Sequence, residues 1–172
     1  MLVPLYLALK AGWSRANDWL VGHAKRRPIP QFSTPQAVAA YLDTHSRYTG
    51  DPLGGALDFY THPERLQYAF ETGDWSGGIV GLRVDCDESS WAVAALRAIP
   101  GVVPAMYTLR DAALVQSHVI CVYTDRDGKH GAIDTNGHRL LPDLASSTLC
   151  ATWGAIYQCR YVSATFTSYP FD

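Results

Sequence analysis

The apolar pattern divides the chain into a helical half and an extended half. From Trp91 to Ile99 every residue except Arg97 is apolar. A helix of that composition has no solvated face of any width, so the pattern predicts a helix running through the core, stopped by Pro100-Gly101. Upstream, Thr34-Pro35 opens a helix to residue 43, with threonine as N-cap and proline at the first helical position. Residues 48–55 carry turn chemistry, Thr-Gly-Asp-Pro and Gly-Gly, and a second helix starts near Thr61-His62-Pro63-Glu64 and ends before Gly73. Downstream the pattern becomes extended runs rich in β-branched and aromatic residues over 102–109, 118–123 and 129–134, with 152–167 supplying more strand. Helices first and strands afterwards is an α+β order, predicting a mostly antiparallel sheet wrapped around a central buried helix.

The first nine residues are apolar but lack a basic n-region and a small-residue cleavage site, so they form no clear signal peptide. That run is also too short to span a bilayer. Residues 2–21 are expected to form a helix docked on the domain or on a partner protein, with Trp13 and Trp19 six residues apart. The polar, proline-bearing stretch 25–35 then separates this helix from the rest. The organisation expected is an N-terminal helix and linker over 1–33 and one domain over 34–172.

The length of 172 residues suits one core. A composition 48% hydrophobic, 17% charged and 12% aromatic is that of a folded protein. The net charge of -2 gives no reason to expect nucleic acid as a partner. The basic cluster Lys25-Arg26-Arg27 reads as a solvated linker. With no export signal, the expected address is the cytoplasm or a virus particle. Cys86, Cys121, Cys150 and Cys159 form no CxxC pair and no zinc-finger spacing; Cys150 and Cys159 are close enough in sequence to pair.

Candidate chemistry begins at Asp85-Cys86-Asp87-Glu88, an acidic cap followed three positions later by glutamate, which places Cys86 at the first helical position. A thiol there faces unpaired amides and the positive end of the helix dipole, both favouring the thiolate. The turn Asp125-Arg126-Asp127-Gly128 joins the strand beginning at His118 to the strand ending at Asp134. Folding the chain about residue 126 sets 122 opposite 130, 120 opposite 132 and 118 opposite 134. Directly opposed residues have Cβ atoms about 5 Å apart, within reach of an imidazole–carboxylate hydrogen bond. A slip of one residue would send one partner to the other face.

Asp85-Cys86-Asp87-Glu88 opening an apolar helix, Ser117-His118-Val119 opening a strand and Ala132-Ile133-Asp134 closing the next resemble the transglutaminase-like superfamily, which has a papain-like fold. The order Cys, His, Asp agrees, at intervals of 32 and 16 residues. Upstream, Tyr48-Thr49-Gly50-Asp51, Gly55, Asp58-Phe59 and His62-Pro63-Glu64 are similar to the segment before the cysteine in bacterial transglutaminase-like cysteine proteinases. The likeness spans residues 41–141. Val84 stands where those proteinases usually carry glycine, and Ser89 where an aromatic is common.

The resemblance implies a thiol-dependent amide hydrolase acting on a protein or peptide, with Cys86 as nucleophile, His118 as base and Asp134 orienting the base. The oxyanion would meet the Cys86 backbone N–H and a second donor, for which Tyr48 is a weak candidate. No cofactor is required. Asp85, Asp87 and Glu88 oppose a thiolate; helix capping absorbs part of that charge, and calcium on Asp85 and Asp87, as in some related proteinases, would absorb more. Simple capping is the plainer account. Two other functions use the same residues: a transglutaminase or deamidase acting on glutamine side chains, and a catalytically silent docking module of a larger, for example viral, assembly. Cell-wall peptidases commonly use a second histidine as the third group; here that position holds Asp134, with His138 four residues beyond, so they rank lower.

Overall fold

The computed structural model describes residues 25–46, 61–76, 88–112 and 117–171, together with three isolated positions, Gly12, Ala16 and Trp19. The expected N-terminal helix is otherwise outside these residues, as are the 48–55 loop and the capping segment that contains Asp85, Cys86 and Asp87. Gly12, Ala16 and Trp19 are helical and exposed, Trp19 by 80%, so its indole does not pack on the domain.

Local chemistry accounts for the first two helices. In α1, Pro35–His45, the Thr34 hydroxyl accepts a hydrogen bond from the Ala37 amide at 3.2 Å. Helix α2, Pro63–Thr72, has proline at its first position and ends on Gly73 at φ +69°, the left-handed conformation that favours glycine. The basic cluster is not a free linker. The Arg27 amide donates to the Glu64 carbonyl at 2.9 Å, while Lys25 pairs with Asp74 at 3.1 Å and Arg27 with Glu71 at 3.8 Å. The segment before α1 is therefore strapped along α2.

Helix α3, Glu88–Arg97, is buried almost all round, as the apolar run predicts. Its two buried serines are tolerated because they meet acceptors: Ser89 Oγ donates to the Val119 carbonyl at 2.9 Å and Ser90 Oγ to the Thr61 carbonyl at 3.1 Å. These two bonds fix the start of α3 between the N-terminus of α2 and the beginning of the second strand.

The strands are β1 Val103–Asp111, β2 Ser117–Thr124, β3 His130–Asp134, β4 Gly137–Leu141 and β5 Tyr161–Thr167. They form one open antiparallel sheet in the order β4-β3-β2-β1-β5. With α4, Ser146–Tyr157, the described residues make an α+β fold of four helices and five strands. Helices α1, α2 and α3 cover one face, where Trp91, Leu96, Met106, Val119, Cys121 and Ile133 share a core. Helix α4 covers the other, where Ile120, Val122, Ala132, Leu149 and Trp153 meet. No helix among the described residues is long and apolar enough to cross a membrane.

Two elements differ from expectation. The run 152–167 is strand only from Tyr161; before that it is α4. Its buried residues Leu149 and Trp153 are four apart, a helical spacing that bulky and β-branched composition conceals. Strand β4 was not expected either: Thr135-Asn136 closes a tight hairpin with Asp134 opposite Gly137.

Gly131 shows how closely the sheet is packed. A Cβ there would lie 2.4 Å from Tyr123 Oη and 2.5 Å from Cζ, and the Tyr123 hydroxyl is bonded to His138 Nε2 at 2.6 Å. Displacing the ring breaks that bond. Gly131→Ala is therefore expected to lower stability by about 1–3 kcal/mol, the usual cost of overpacking, read from the urea midpoint. A change below about 0.3 kcal/mol would show that the ring gives way freely.

Candidate functional site

The hairpin that was expected to bring His118 and Asp134 together does so, in a different register. The three-residue loop is Arg126-Asp127-Gly128, closed by Asp125 and Lys129: the Asp125 amide donates to the Lys129 carbonyl at 2.9 Å, and Gly128 adopts φ +76°. The loop is thus centred on 127 and not 126. Val122 pairs with Ala132, where folding about 126 would oppose residue 130. A shift of two leaves every side chain on its face. His118 and Asp134 are consequently diagonal neighbours instead of directly opposed, at a spacing that an imidazole spans.

The contact itself is His118 Nε2 to Asp134 Oδ2 at 3.1 Å. The histidine side chain is 12% exposed and the carboxylate 1%. Both project from the face covered by α4, since His118 alternates with Val119 and Asp134 with Ile133, which point toward α3. Asp134 Oδ2 also accepts a hydrogen bond from Trp153 Nε1 at 2.6 Å, and Oδ1 accepts one from the Asn136 amide at 2.9 Å. Arg139 Nη2 stands 3.7 Å from Oδ1, its guanidinium 5.5 Å from the centre of the Trp153 ring. Burial pushes the Asp134 carboxyl upward, but the hydrogen bonds from His118 and Trp153, the His118 charge and the Asn136 amide outweigh it. The group is held below the usual carboxylate range. It is ionised at neutral pH and can only accept.

An acceptor at Oδ2 requires the hydrogen to be on Nε2, leaving Nδ1 of the imidazole with a lone pair. That is the arrangement of a general base held by an orienting carboxylate. Tyr157 Oη adds a contact to Nε2 at 3.3 Å, and its ring meets the imidazole edge-on at 4.9 Å.

Cys86, Asp85, Asp87 and Tyr48 all lie outside the described residues. The described part of the helix expected to carry Cys86 begins at Glu88, and its second residue, Ser89, is bonded to the Val119 carbonyl next to His118. Among the other cysteines, Cys121 is fully buried on the α3 face, and burial pushes its thiol pKa well up, which makes it inert. Cys150 and Cys159 are free thiols, not a disulfide, lining a groove between α4 and β5 with Ser146, Arg160 and Tyr161. His138 points to the α3 face, opposite Ile133, and is bonded to Tyr123, so it takes no part in the dyad. No cluster of three metal-ligating side chains occurs among the described residues.

Sequence reasoning missed Trp153, Asn136, Arg139 and Tyr157. The signal for two of them was Trp153 and Tyr157 at i, i+4, visible only once 146–157 is read as a helix. Asn136 was signalled by Asp134-Thr-Asn, whose Asx turn sends the amide of the residue two ahead back to the carboxylate. No family model, no curated protein and no solved structure matches this chain.

Proposed function

We propose that this protein is a thiol-dependent amide hydrolase of transglutaminase-like type, with Cys86 as nucleophile, His118 as base and Asp134 as the group that orients the base. The observation that carries the reading is the buried, fully partnered Asp134 carboxylate on His118 Nε2, which leaves Nδ1 as the proton acceptor. The anchoring of Ser89 beside His118 supports it. Cys86 is three residues from Ser89, and three residues span at most about 10 Å. In the proposed reaction the Cys86 sulfur bonds to the carbonyl carbon of a peptide or protein amide while its proton passes to Nδ1. The C–N bond then breaks, the amine leaves with that proton, and water hydrolyses the thioester to return the thiol. An amine in place of water would make the same site a transglutaminase. Hydrolysis needs no cofactor; calcium on Asp85 and Asp87 would serve only to offset their charge beside the thiolate.

One pair of observations favours the second reading, a silent docking module. The His118–Asp134 dyad projects from the sheet face opposite α3, so Cys86 has to reach it around the start of β2, and Trp19 stands exposed for a partner.

Iodoacetamide alkylation of Cys86, followed by mass spectrometry against pH in the native protein and in His118→Ala, separates the two. The hydrolase reading expects an inflection well below ~8.5, the free-thiol value, that rises in the variant. A Cys86 that is unreactive when folded, or that titrates like a free thiol in both proteins, would falsify it in favour of the docking module.

A further inference from the structure

The mechanism proposed above uses Asp134 to orient His118, yet the imidazole has a second polar neighbour. A ring held by one hydrogen bond at Nε2 can still pivot about that bond and swing Nδ1 away from its target. Tyr157 Oη lies 3.3 Å from the same Nε2. That oxygen is itself fixed, because Asn136 Nδ2 donates to it at 2.6 Å. The Asn136 backbone amide donates in turn to Asp134 Oδ1 at 2.9 Å. The four residues therefore close a ring: Asp134 to His118, His118 to Tyr157, Tyr157 to Asn136, and Asn136 back to Asp134.

We infer that Tyr157 and Asn136 are positioning residues that fix the plane of the His118 imidazole, whose Nε2–H tautomer Asp134 selects, so that Nδ1 is presented for proton transfer. The assignment rests on the hydrolase reading only for what Nδ1 does.

The hydrogen-bond inventory leads to the tautomer. The ionised Asp134 only accepts, so the shared hydrogen belongs to Nε2. Tyr157 Oη takes one hydrogen from Asn136 and meets Nε2 as a second, weaker contact beside the carboxylate. The carboxylate alone selects the tautomer, because a hydroxyl can donate or accept; what Tyr157 adds is a second point of contact that stops the ring from pivoting about the Asp134 bond. The fold supplies rigidity. Trp153 and Tyr157 stand one turn apart on α4, so a single helix delivers the indole to Asp134 and the phenol to His118. Tyr157 is the last residue of that helix, and the chain leaves it through Gln158 at φ +52°. The phenol ring, edge-on at 4.9 Å, also shields the Nε2 side of the imidazole from water, which would otherwise compete for the bond.

The test reads the imidazole directly. Uniformly ¹⁵N-labelled protein is examined by long-range proton–nitrogen correlation at neutral pH, in the native form and in Tyr157→Phe, Asn136→Ala and the double variant, alongside Cys86 alkylation against pH. The native spectrum is expected to show His118 protonated at Nε2. Tyr157→Phe removes the second contact at Nε2 and is expected to shift the His118 ring nitrogen resonances while the hydrogen stays on Nε2. The Cys86 inflection then moves upward by about half a pH unit, with alkylation at pH 7 slowed about three-fold. Asn136→Ala gives a smaller change in the same direction. The double variant matches Tyr157→Phe alone, because the amide acts through the hydroxyl.

An unchanged His118 spectrum in a folded Tyr157→Phe protein overturns the assignment, as does a double variant that loses the sum of the two. Should Cys86 be inert in the native protein while the His118 spectrum still responds to Tyr157→Phe, the hydrolase reading fails and the positioning ring stands.

Discussion

On the proposed hydrolase reading, Asp134→Asn is expected to reduce the rate of amide hydrolysis by up to about 10⁴-fold, the loss seen when an orienting carboxylate is made an amide. Trp153 Nε1 and His118 Nε2 share one oxygen, Oδ2, while the Asn136 amide donates to Oδ1, so asparagine keeps an acceptor on only one of the two sides. With its nitrogen at the Oδ2 position it opposes the Trp153 N–H and demands a bare Nε2, which forces the hydrogen onto Nδ1; with its nitrogen at the Oδ1 position it opposes the Asn136 amide and the Arg139 guanidinium. Stability should follow with about 1–3 kcal/mol lost at pH 7, the cost of mismatched partners around a buried polar group.

The pH dependence gives the sharper check. The folded Asp134 carboxyl lies below its unfolded value of about 3.9. Its contribution is therefore fully present above that value and is lost as pH falls through the folded pKa. The stability gap between native and Asp134→Asn should narrow as pH falls below about 4. Urea unfolding from about pH 4 downward measures it, and a gap that widens in that range would mean that the carboxylate is not stabilised in the folded state.

The largest loss of stability is expected from Trp91→Ala. Trp91 has no exposed surface and holds the centre of the α3 face. Its ring stacks on Tyr41 at 5.3 Å and meets Phe32 and Phe70 edge-on at 5.8 and 5.6 Å. Truncation removes those contacts and opens a cavity between helices that cannot easily close, which costs about 3–5 kcal/mol. It also strips Gln67 Oε1 of the indole N–H, at 3.1 Å, while Gln67 Nε2 remains tied to Tyr41 and Glu71 at 2.7 and 2.8 Å. Against a typical stability of roughly 5–15 kcal/mol, this amounts to a fall of about 6–20 °C in Tm for a chain of this size. Trp91→Phe keeps most of the ring contacts and should cost only about 1–2 kcal/mol. If the two variants melt together, the hydrogen bond to Gln67 outweighs the packing.

Much of this architecture was legible because it is local. Thr34-Pro35, His62-Pro63 and Gly73 announce helix ends through side-chain acceptors and backbone conformations that need no distant partner. The apolar run 91–99 could only be a buried helix, whatever packs around it. The order helix, helix, helix, strand, strand, strand followed from the caps, the apolar run and the β-branched and aromatic composition downstream, and with it the α+β class.

Composition misled where two readings share residue types. Residues 152–157, the second half of the helix 146–157, are apolar enough to pass for strand, and only the four-residue spacing of Leu149 and Trp153 marks the helix. Within the candidate site, His118 and Asp134 were legible as a pair because a hairpin converts sequence separation into proximity. Trp153 and Tyr157, 19 and 39 residues from the groups they bond, offered no such ruler.

What the sequence by itself determined is therefore whatever depends on neighbours along the chain: the helix caps, the buried run, the turn at 125–128 and the face on which His118 and Asp134 both lie. That last point survived an error in register because strand side chains repeat every two residues, and the loop centre moved the pairing by two. Only the tertiary structure decided which strand residue stands opposite which, that α4 covers the dyad while α3 lies on the other face, and that a carboxylate without solvent is surrounded by an indole, an amide and a guanidinium. Those contacts join segments through space, and each forms only after the sheet and its two covering layers are in place.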